Sequence, residues 1–293
     1  MSIHGILGEQ TTDYPTEYSA EALYPIARSM GRDVIGWQDD KLTVGIDWWQ
    51  AFELSWLNQQ GISQVAIARF AIPASSPFIV ESKSLKLYLN SINFTEFVSW
   101  AEVQTLIAKD LSQCVQADVK VELFDLEDEH SGLLIAQPEG ICIDDALADS
   151  TAKVALCEHP DASLLIDDST DNERLKADAA LQDHAQPYAF YSNLLRSNCP
   201  VTNQPDWGTL AVSRTSDKSV NNANMLRYIL SFRQHNGFHE QCVEQIFADL
   251  SKYYEPSALM VRAWYTRRGG IDINPCRVSD ISLLPKPSRL IRQ

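Results

Sequence analysis

Apolar and polar residues alternate along four short stretches of the chain: Gln64-Val65-Ala66-Ile67-Ala68-Arg69-Phe70, Val119 to Phe124, Gly208 to Arg214 and Met260 to Tyr265. A period of two predicts strands in a sheet with one face wet and one face buried. Between the strands of each pair the period lengthens. From Val98 to Leu111 the apolar positions Val103, Leu106, Ile107 and Leu111 fall on one helical stripe. A second stripe runs through Cys242, Val243, Ile246, Phe247 and Leu250. The order strand, helix, strand therefore occurs twice.

The two occurrences also match residue by residue. Lys86 to Asn93 lies over Leu226 to Arg233, with Tyr88/Tyr228 and Ser91/Ser231 each 140 positions apart. Each helical stripe closes on the same tripeptide, Asp110-Leu111-Ser112 and Asp249-Leu250-Ser251. We read the chain as a duplicated α+β unit, each copy an antiparallel sheet with helices on one face. The halves differ in their polar equipment. The first has Glu81-Ser82-Lys83 where the second has Asn222-Ala223-Asn224, and the second has His239-Glu240 where the first has Val98-Ser99. Cys199 and Asp206 have no counterpart thiol in the first half. Complementary losses of this kind predict one composite site in a cleft between the halves.

Charge is uneven. The net charge is −15, and Glu122 to Asp183 alone holds 17 acidic and 3 basic residues, which is −14 and leaves −1 for the rest. The acidity belongs to a connecting region, expected to be solvated with local turns. No basic stripe is present for nucleic acid. No apolar run approaches the ~20 residues of a membrane span. The first residues lack the basic and apolar regions of a signal peptide, so a cytoplasmic protein is expected. The six cysteines form no CxxC pair; in a reducing compartment they are expected to be free thiols.

One loop-like segment carries chemistry, Ser197-Asn198-Cys199-Pro200-Val201-Thr202-Asn203-Gln204-Pro205-Asp206-Trp207-Gly208. A thiol with a carboxylate seven residues on can serve as nucleophile and proton donor. Taken alone, the segment is more simply a buried free cysteine near a surface aspartate. Glu81 and Lys83 read alone as strand-edge charges, His239-Glu240 as helix-start residues and Arg267-Arg268-Gly269-Gly270 as a basic turn.

The joint occurrence of ESKSLKLYLNS, CPxTxQPDWG, SFRxHNxFHE and RRGGIDINP, in that order, resembles the nitrile reductase QueF family in its longer, two-module form. The resemblance covers both halves and misses mainly the acidic connector and the N-terminal extension. It implies two tandem tunnelling-fold modules, residues 1–126 and 188–293, joined by a connector at 127–187. It implies reduction of 7-cyano-7-deazaguanine to 7-aminomethyl-7-deazaguanine with two NADPH, a step toward the tRNA nucleoside queuosine. It assigns Cys199 as nucleophile and Asp206 as proton donor. It places Val80, Glu81, Ser82, His239 and Glu240 against the substrate, and Ser82, Lys83, Arg268 and Gly269 against the cofactor. No metal is implied, and association into homodimers is. A protonated Asp206 would require a desolvated pocket.

Two other readings stand beside this one. Some members of the wider tunnelling-fold group are zinc hydrolases of purines or pterins. His235, His239 and Cys242, spaced i, i+4, i+7, could with Cys199 make a four-ligand site if one helix carried all three. A binding module with a decayed site is the non-enzymatic reading. The presence of Cys199, Asp206, Glu81 and Glu240 together argues against it.

Overall fold

Residues 15–37, 40–127, 133, 135–166 and 187–293 of the computed structural model are described here. The alternating stretches form strands, each longer than the pattern alone marks. Gln64–Phe70 lies inside β3 (Ser63–Pro73), which pairs with β2 (Gly45–Leu57) and β5 (Lys120–Phe124). Gly208–Arg214 lies inside β9 (Pro205–Thr215), between β8 (Pro187–Asn198) and β10 (Ala258–Tyr265). A further strand, β11 (Ile271–Val278), pairs with β10 on one side and β2 on the other. Two sheets expected to be separate are thereby one eight-stranded sheet, in the order β5-β3-β2-β11-β10-β9-β8-β7. All neighbours are antiparallel except the short edge strand β7 (Ile141–Cys142), which runs parallel to β8.

Four helices pack on one face of this sheet. α2 (Ser82–Ile92) and α3 (Trp100–Val115) belong to the first half, α4 (Asn222–Ser231) and α5 (His239–Tyr254) to the second. The predicted stripes are the buried ones. Val103, Ile107 and Leu111 pack with Trp49, Phe70, Ile271 and Ile273 in one core. Cys242, Val243, Ile246, Phe247 and Leu250 pack with Leu210, Val212 and Val261 in the other.

The likeness of the halves extends to their hydrogen bonds. The Tyr88 hydroxyl donates to Asp110 Oδ2 and the Tyr228 hydroxyl to Asp249 Oδ2, both at 2.7 Å. Ser91 Oγ donates to the Tyr88 carbonyl and Ser231 Oγ to the Tyr228 carbonyl, both at 2.6 Å. These buried pairs explain why the tyrosine, serine and aspartate recur at matching places. A buried hydroxyl must find a partner: the aspartate serves the tyrosine, and the tyrosine carbonyl serves the serine. The segments outside the sequence repeat obey it too. The Ser19 N–H donates to Ser91 Oγ and the Asp161 N–H to Ser231 Oγ, both at 3.1 Å. The N-terminal segment and the acidic connector thus occupy equivalent positions. The connector is also not wholly solvated, since Leu133, Ile143 and Leu165 are buried.

Ahead of β2 lie β1 (Pro25–Ala27) and α1 (Ser29–Ile35), and β1 pairs with β4 (Phe78–Val80). In the rest of the connector, β6 (Ile135–Ala136) runs parallel to the C-terminal β12 (Arg289–Leu290). Where β2 and β11 join, the two helical layers meet, and a pocket opens between them.

Candidate active site

The pocket encloses about 310 Å³, within the range of small-molecule sites. Its first wall is the loop between β8 and β9. The Cys199 N–H donates to the Gln204 carbonyl and the Asn203 N–H to the Cys199 carbonyl, both at 2.8 Å. Asn203 takes the left-handed conformation (φ 54°), which asparagine tolerates better than most residues. The closed loop holds Cys199 half-buried at the pocket lining. Asp206 follows on β9, opposite Ser197 in the ladder.

Asp206 is 4% exposed, and the environment answers the question its burial raises. Burial pushes the carboxyl up. His239, with Nε2 3.3 Å from Oδ2, and the Arg268 guanidinium on Oδ1 outweigh this and hold it below its ordinary value. The desolvated pocket expected from the sequence is present, but its neighbours favour the Asp206 carboxylate over the protonated acid. His239 lies against the Tyr265 ring, centroids 3.9 Å apart. Its Nε2 is buried and makes no aligned hydrogen bond.

The second and third walls each bring a glutamate from a helix start. Glu81 is the N-cap of α2, and its Oε2 accepts from the Ser84 N–H at 2.6 Å. Desolvation raises its carboxyl, and the bonds from the helix N–H groups oppose this. Glu240 sits in the first turn of α5, 2% exposed, with Oε1 lacking a hydrogen-bond partner. Burial, then the Asp47 charge, pushes it up to about 7, against His239 and Arg28. A helix N-terminus favours a carboxylate, and an orphan buried oxygen is an acceptor awaiting a donor.

Cations form the mouth. Arg268 comes from the turn between β10 and β11, closed by Arg268 N–H to Ile271 carbonyl at 2.9 Å and its reverse at 3.2 Å. Gly269 and Gly270 both have positive φ (57° and 77°), the requirement of a two-residue hairpin turn of this hand. The Arg268 guanidinium donates to Gln204 Oε1 as well as to Asp206, so one side chain ties the cysteine loop to the turn. Lys83 and Lys86 reach the same mouth from α2.

All ten residues predicted from sequence line this one pocket: Cys199, Asp206, Val80, Glu81, Ser82, Lys83, His239, Glu240, Arg268 and Gly269. Sequence reasoning missed Lys86 and Gln204. Both stand inside quoted motifs, and Lys86 follows Lys83 by three residues, on the same helix face. Trp49 was also missed; it lies on β2, which no motif marks. His235 caps a short turn at 232–234 and precedes α5, so it does not share a helix face with His239 and Cys242. Among the described residues no group of three or more histidine, cysteine, aspartate or glutamate side chains is placed to hold a metal ion. Nor, among them, is any helix long and apolar enough to cross a membrane.

A half-buried thiol, a buried carboxylate beside a histidine, two further glutamates and a cationic mouth make an α+β pocket able to support nucleophilic chemistry on a small molecule. The comparisons with known proteins show the family. Residues 14–123 match the family model described as "Nitrile reductase, 7-cyano-7-deazaguanine-reductase N-term", and residues 205–281 match "QueF-like protein". The NADPH-dependent 7-cyano-7-deazaguanine reductase of Psychrobacter cryohalolentis is 85% identical over 293 residues, covering 100% of both chains. The protein of the same name from Acinetobacter baylyi is 52% identical, again over 100% of both. The apo crystal structure of the archaeosine synthase QueF-Like overlays 94% of its chain on 33% of this one, with TM-score 0.29 and 13% identity. The chain belongs to the 7-cyano-7-deazaguanine reductase family.

Proposed function

We propose that this chain reduces the nitrile of 7-cyano-7-deazaguanine to the aminomethyl group with NADPH, serving queuosine biosynthesis in the cytoplasm. The observation that carries the reading is the convergence of Cys199, Asp206, Glu81 and Glu240, drawn from both halves, on one pocket. A deazaguanine edge offers an exocyclic amine and ring N–H donors, and Glu81 and Glu240 are acceptors on opposite walls. The Cys199 thiolate adds to the nitrile carbon, forming a C–S bond as the C≡N bond gives up one π pair to a proton at nitrogen. The product is a thioimide, whose C=N is easier to reduce than the nitrile. Asp206 delivers the proton. Since His239 and Arg268 hold it below its ordinary value, it must first gain that proton, and His239, 3.3 Å away, is placed to supply it.

NADPH supplies hydride at two stages. The residues at the mouth fit it: Lys83, Lys86 and Arg268 are cations for its phosphates, and the Gly269-Gly270 turn leaves main chain open to approach. Ser82 lies between Glu81 and Lys83 and serves both ligands. Departure of the Cys199 sulfur between the two reductions regenerates the thiol.

We further propose that the halves are tandem tunnelling-fold modules, 1–126 and 188–293, about a connector at 127–187. The matched Tyr–Asp and Ser–carbonyl pairs support this. Homodimers are the expected assembly, since they would cover the open sheet edge at β5. The direct test is NADPH oxidation on adding the nitrile. Two NADPH consumed per nitrile, with loss of activity in Cys199→Ala, is expected. No nitrile-dependent oxidation would reject the reading.

A further inference from the structure

The segment ahead of β2 touches two walls of the pocket at once. Toward the first half, β1 pairs with β4 in the register Pro25↔Val80, Ile26↔Ile79, Ala27↔Phe78. The ladder runs on into the site: the Glu81 N–H donates to the Tyr24 carbonyl at 2.9 Å. The Tyr24 N–H donates to Ser84 Oγ at 3.0 Å, and Ser84 Oγ donates back to the Glu81 carbonyl at 2.7 Å. The backbone that carries one carboxylate is thus held by residues 24–27.

Toward the second half the same segment grips α5. Arg32 places Nη2 and Nε on the two oxygens of Glu244, at 2.7 and 3.2 Å, one helical turn beyond Glu240. Arg28 donates to Asp47 at 2.6 Å and lies 3.7 Å from Glu244. Arg277 of β11 completes the cluster, 2.6 Å from Asp47 and 2.8 Å from Glu244. Gly31 meets the first turn of α5 so closely that a Cβ would fall 2.5 Å from the Gln241 side chain.

Such a cluster is a poor way to gain stability. Arg28, Asp47, Glu244 and Arg277 are each no more than 3% exposed, and desolvating charges costs nearly what their pairing returns. Apolar side chains would fix α5 as firmly. A guanidinium fork on a carboxylate instead sets direction and distance. The cluster also faces the site. Arg28 Nη1 is buried without a hydrogen-bond partner, as is Glu240 Oε1. The charges around the Glu240 carboxyl are Asp47 from β2, Arg28 from the segment, and His239 on its own helix, with Glu244, Arg277 and Arg32 behind them.

We propose that Tyr24–Arg32 is a strap that fixes Glu81 and Glu240 relative to each other, with Arg28 and Arg32 as positioning residues for substrate binding. The proposal rests on the reading of these glutamates as the grip on the base edge. It explains why an enzyme whose reacting groups lie beyond residue 80 carries a structured segment before β2. The strap's bonds to the first half go to Glu81 and Ser84, whereas Arg268 stands on the β10–β11 turn, so nitrile binding is expected to suffer more than NADPH binding when the strap is loosened.

The test uses the full chain with Arg32→Gln and Arg32→Lys. Arg32 is 18% exposed, so both variants are expected to fold. Three quantities are read: amide hydrogen exchange at residues 80–84 in the free protein, nitrile affinity in a Cys199→Ala background, and the NADPH KM. For Arg32→Gln, faster exchange at Glu81, nitrile affinity weakened about tenfold and an NADPH KM within twofold of wild type are expected. Arg32→Lys should recover part of the affinity. Unchanged exchange at residues 80–84 in folded Arg32→Gln would overturn the strap, and so would equal losses for nitrile and NADPH. A wild-type protein that does not bind the nitrile would sink the reading of the pocket instead, leaving the exchange measurement to decide the strap.

Discussion

Arg268→Ala should speed adduct formation with the nitrile at neutral pH. The guanidinium sits on Asp206, which is 4% exposed, while Arg268 itself is 36% exposed. A hydrogen bond to a charged group contributes about 1.5–3 kcal/mol. Partial exposure of the arginine argues for the low end, because solvent screens it. About 1.5 kcal/mol corresponds to roughly a factor of ten in a rate. Removing Arg268 leaves burial and His239 acting on Asp206, so its carboxyl rises and its protonated fraction at neutral pH grows. The assay is stopped-flow absorbance of the thioimide in the near ultraviolet, without NADPH, at pH 7. Adduct formation about tenfold faster in Arg268→Ala is expected. An unchanged or slower rate would refute the view that Arg268 controls the donor.

Three other outcomes follow from the same geometry. Nitrile affinity in Cys199→Ala should fall on acidification below about pH 7, because Glu240 is pushed up to about 7 and its neutral form is a poor acceptor; calorimetry at pH 6 and 8 with equal affinities would contradict this. Tyr228→Phe leaves Asp249 with Gln245 as its donor and should cost about 1.5 kcal/mol in denaturant unfolding, with Tyr88→Phe, which leaves Asp110 with Tyr18, costing a similar amount. Arg277→Met leaves Asp47 and Glu244 short of a cation and should cost about 3–5 kcal/mol at neutral pH. Asp47 is held low in the folded protein chiefly by Arg277 and Arg28, so its contribution is present above the unfolded carboxylate pKa and lost as pH falls. The gap between Arg277→Met and wild type should therefore narrow in acid.

The helices and most strands could be read from periodicity because their buried positions are apolar at regular spacing. Val103, Ile107 and Leu111 fall on one stripe because one face of α3 meets the sheet. The duplication was legible for a different reason. Tyr88 and Tyr228 are buried hydroxyls whose partners are fixed by the fold, so tyrosine, serine and aspartate recur together. What periodicity did not reveal is the union of the two sheets, because β11 carries Asp272, Asn274 and Arg277 among its buried residues. Those polar side chains look exposed until a second layer covers them. The N-terminal strap was hidden likewise, since Arg28 and Arg32 read as surface charges until Asp47 and Glu244 are brought to them from distant strand and helix.

At the site, residue types and order were sufficient to name the lining but not its electrostatic state. Asp206 and Arg268 are 62 positions apart, and nothing in either motif says that one neutralises the other. The pairing depends on a two-glycine turn aimed at the cysteine loop, a three-dimensional coincidence. Glu81 is a further case. Neither its place as the N-cap of α2 nor its burial could have been read, since the usual caps are serine, threonine, aspartate and asparagine.

The proposed chemistry turns on the bond between the Cys199 sulfur and the nitrile carbon. Intact-protein mass spectrometry after incubation with 7-cyano-7-deazaguanine alone is expected to show one added nitrile mass per chain, absent in Cys199→Ala. An unshifted wild-type mass, or the same gain in the alanine variant, would contradict it.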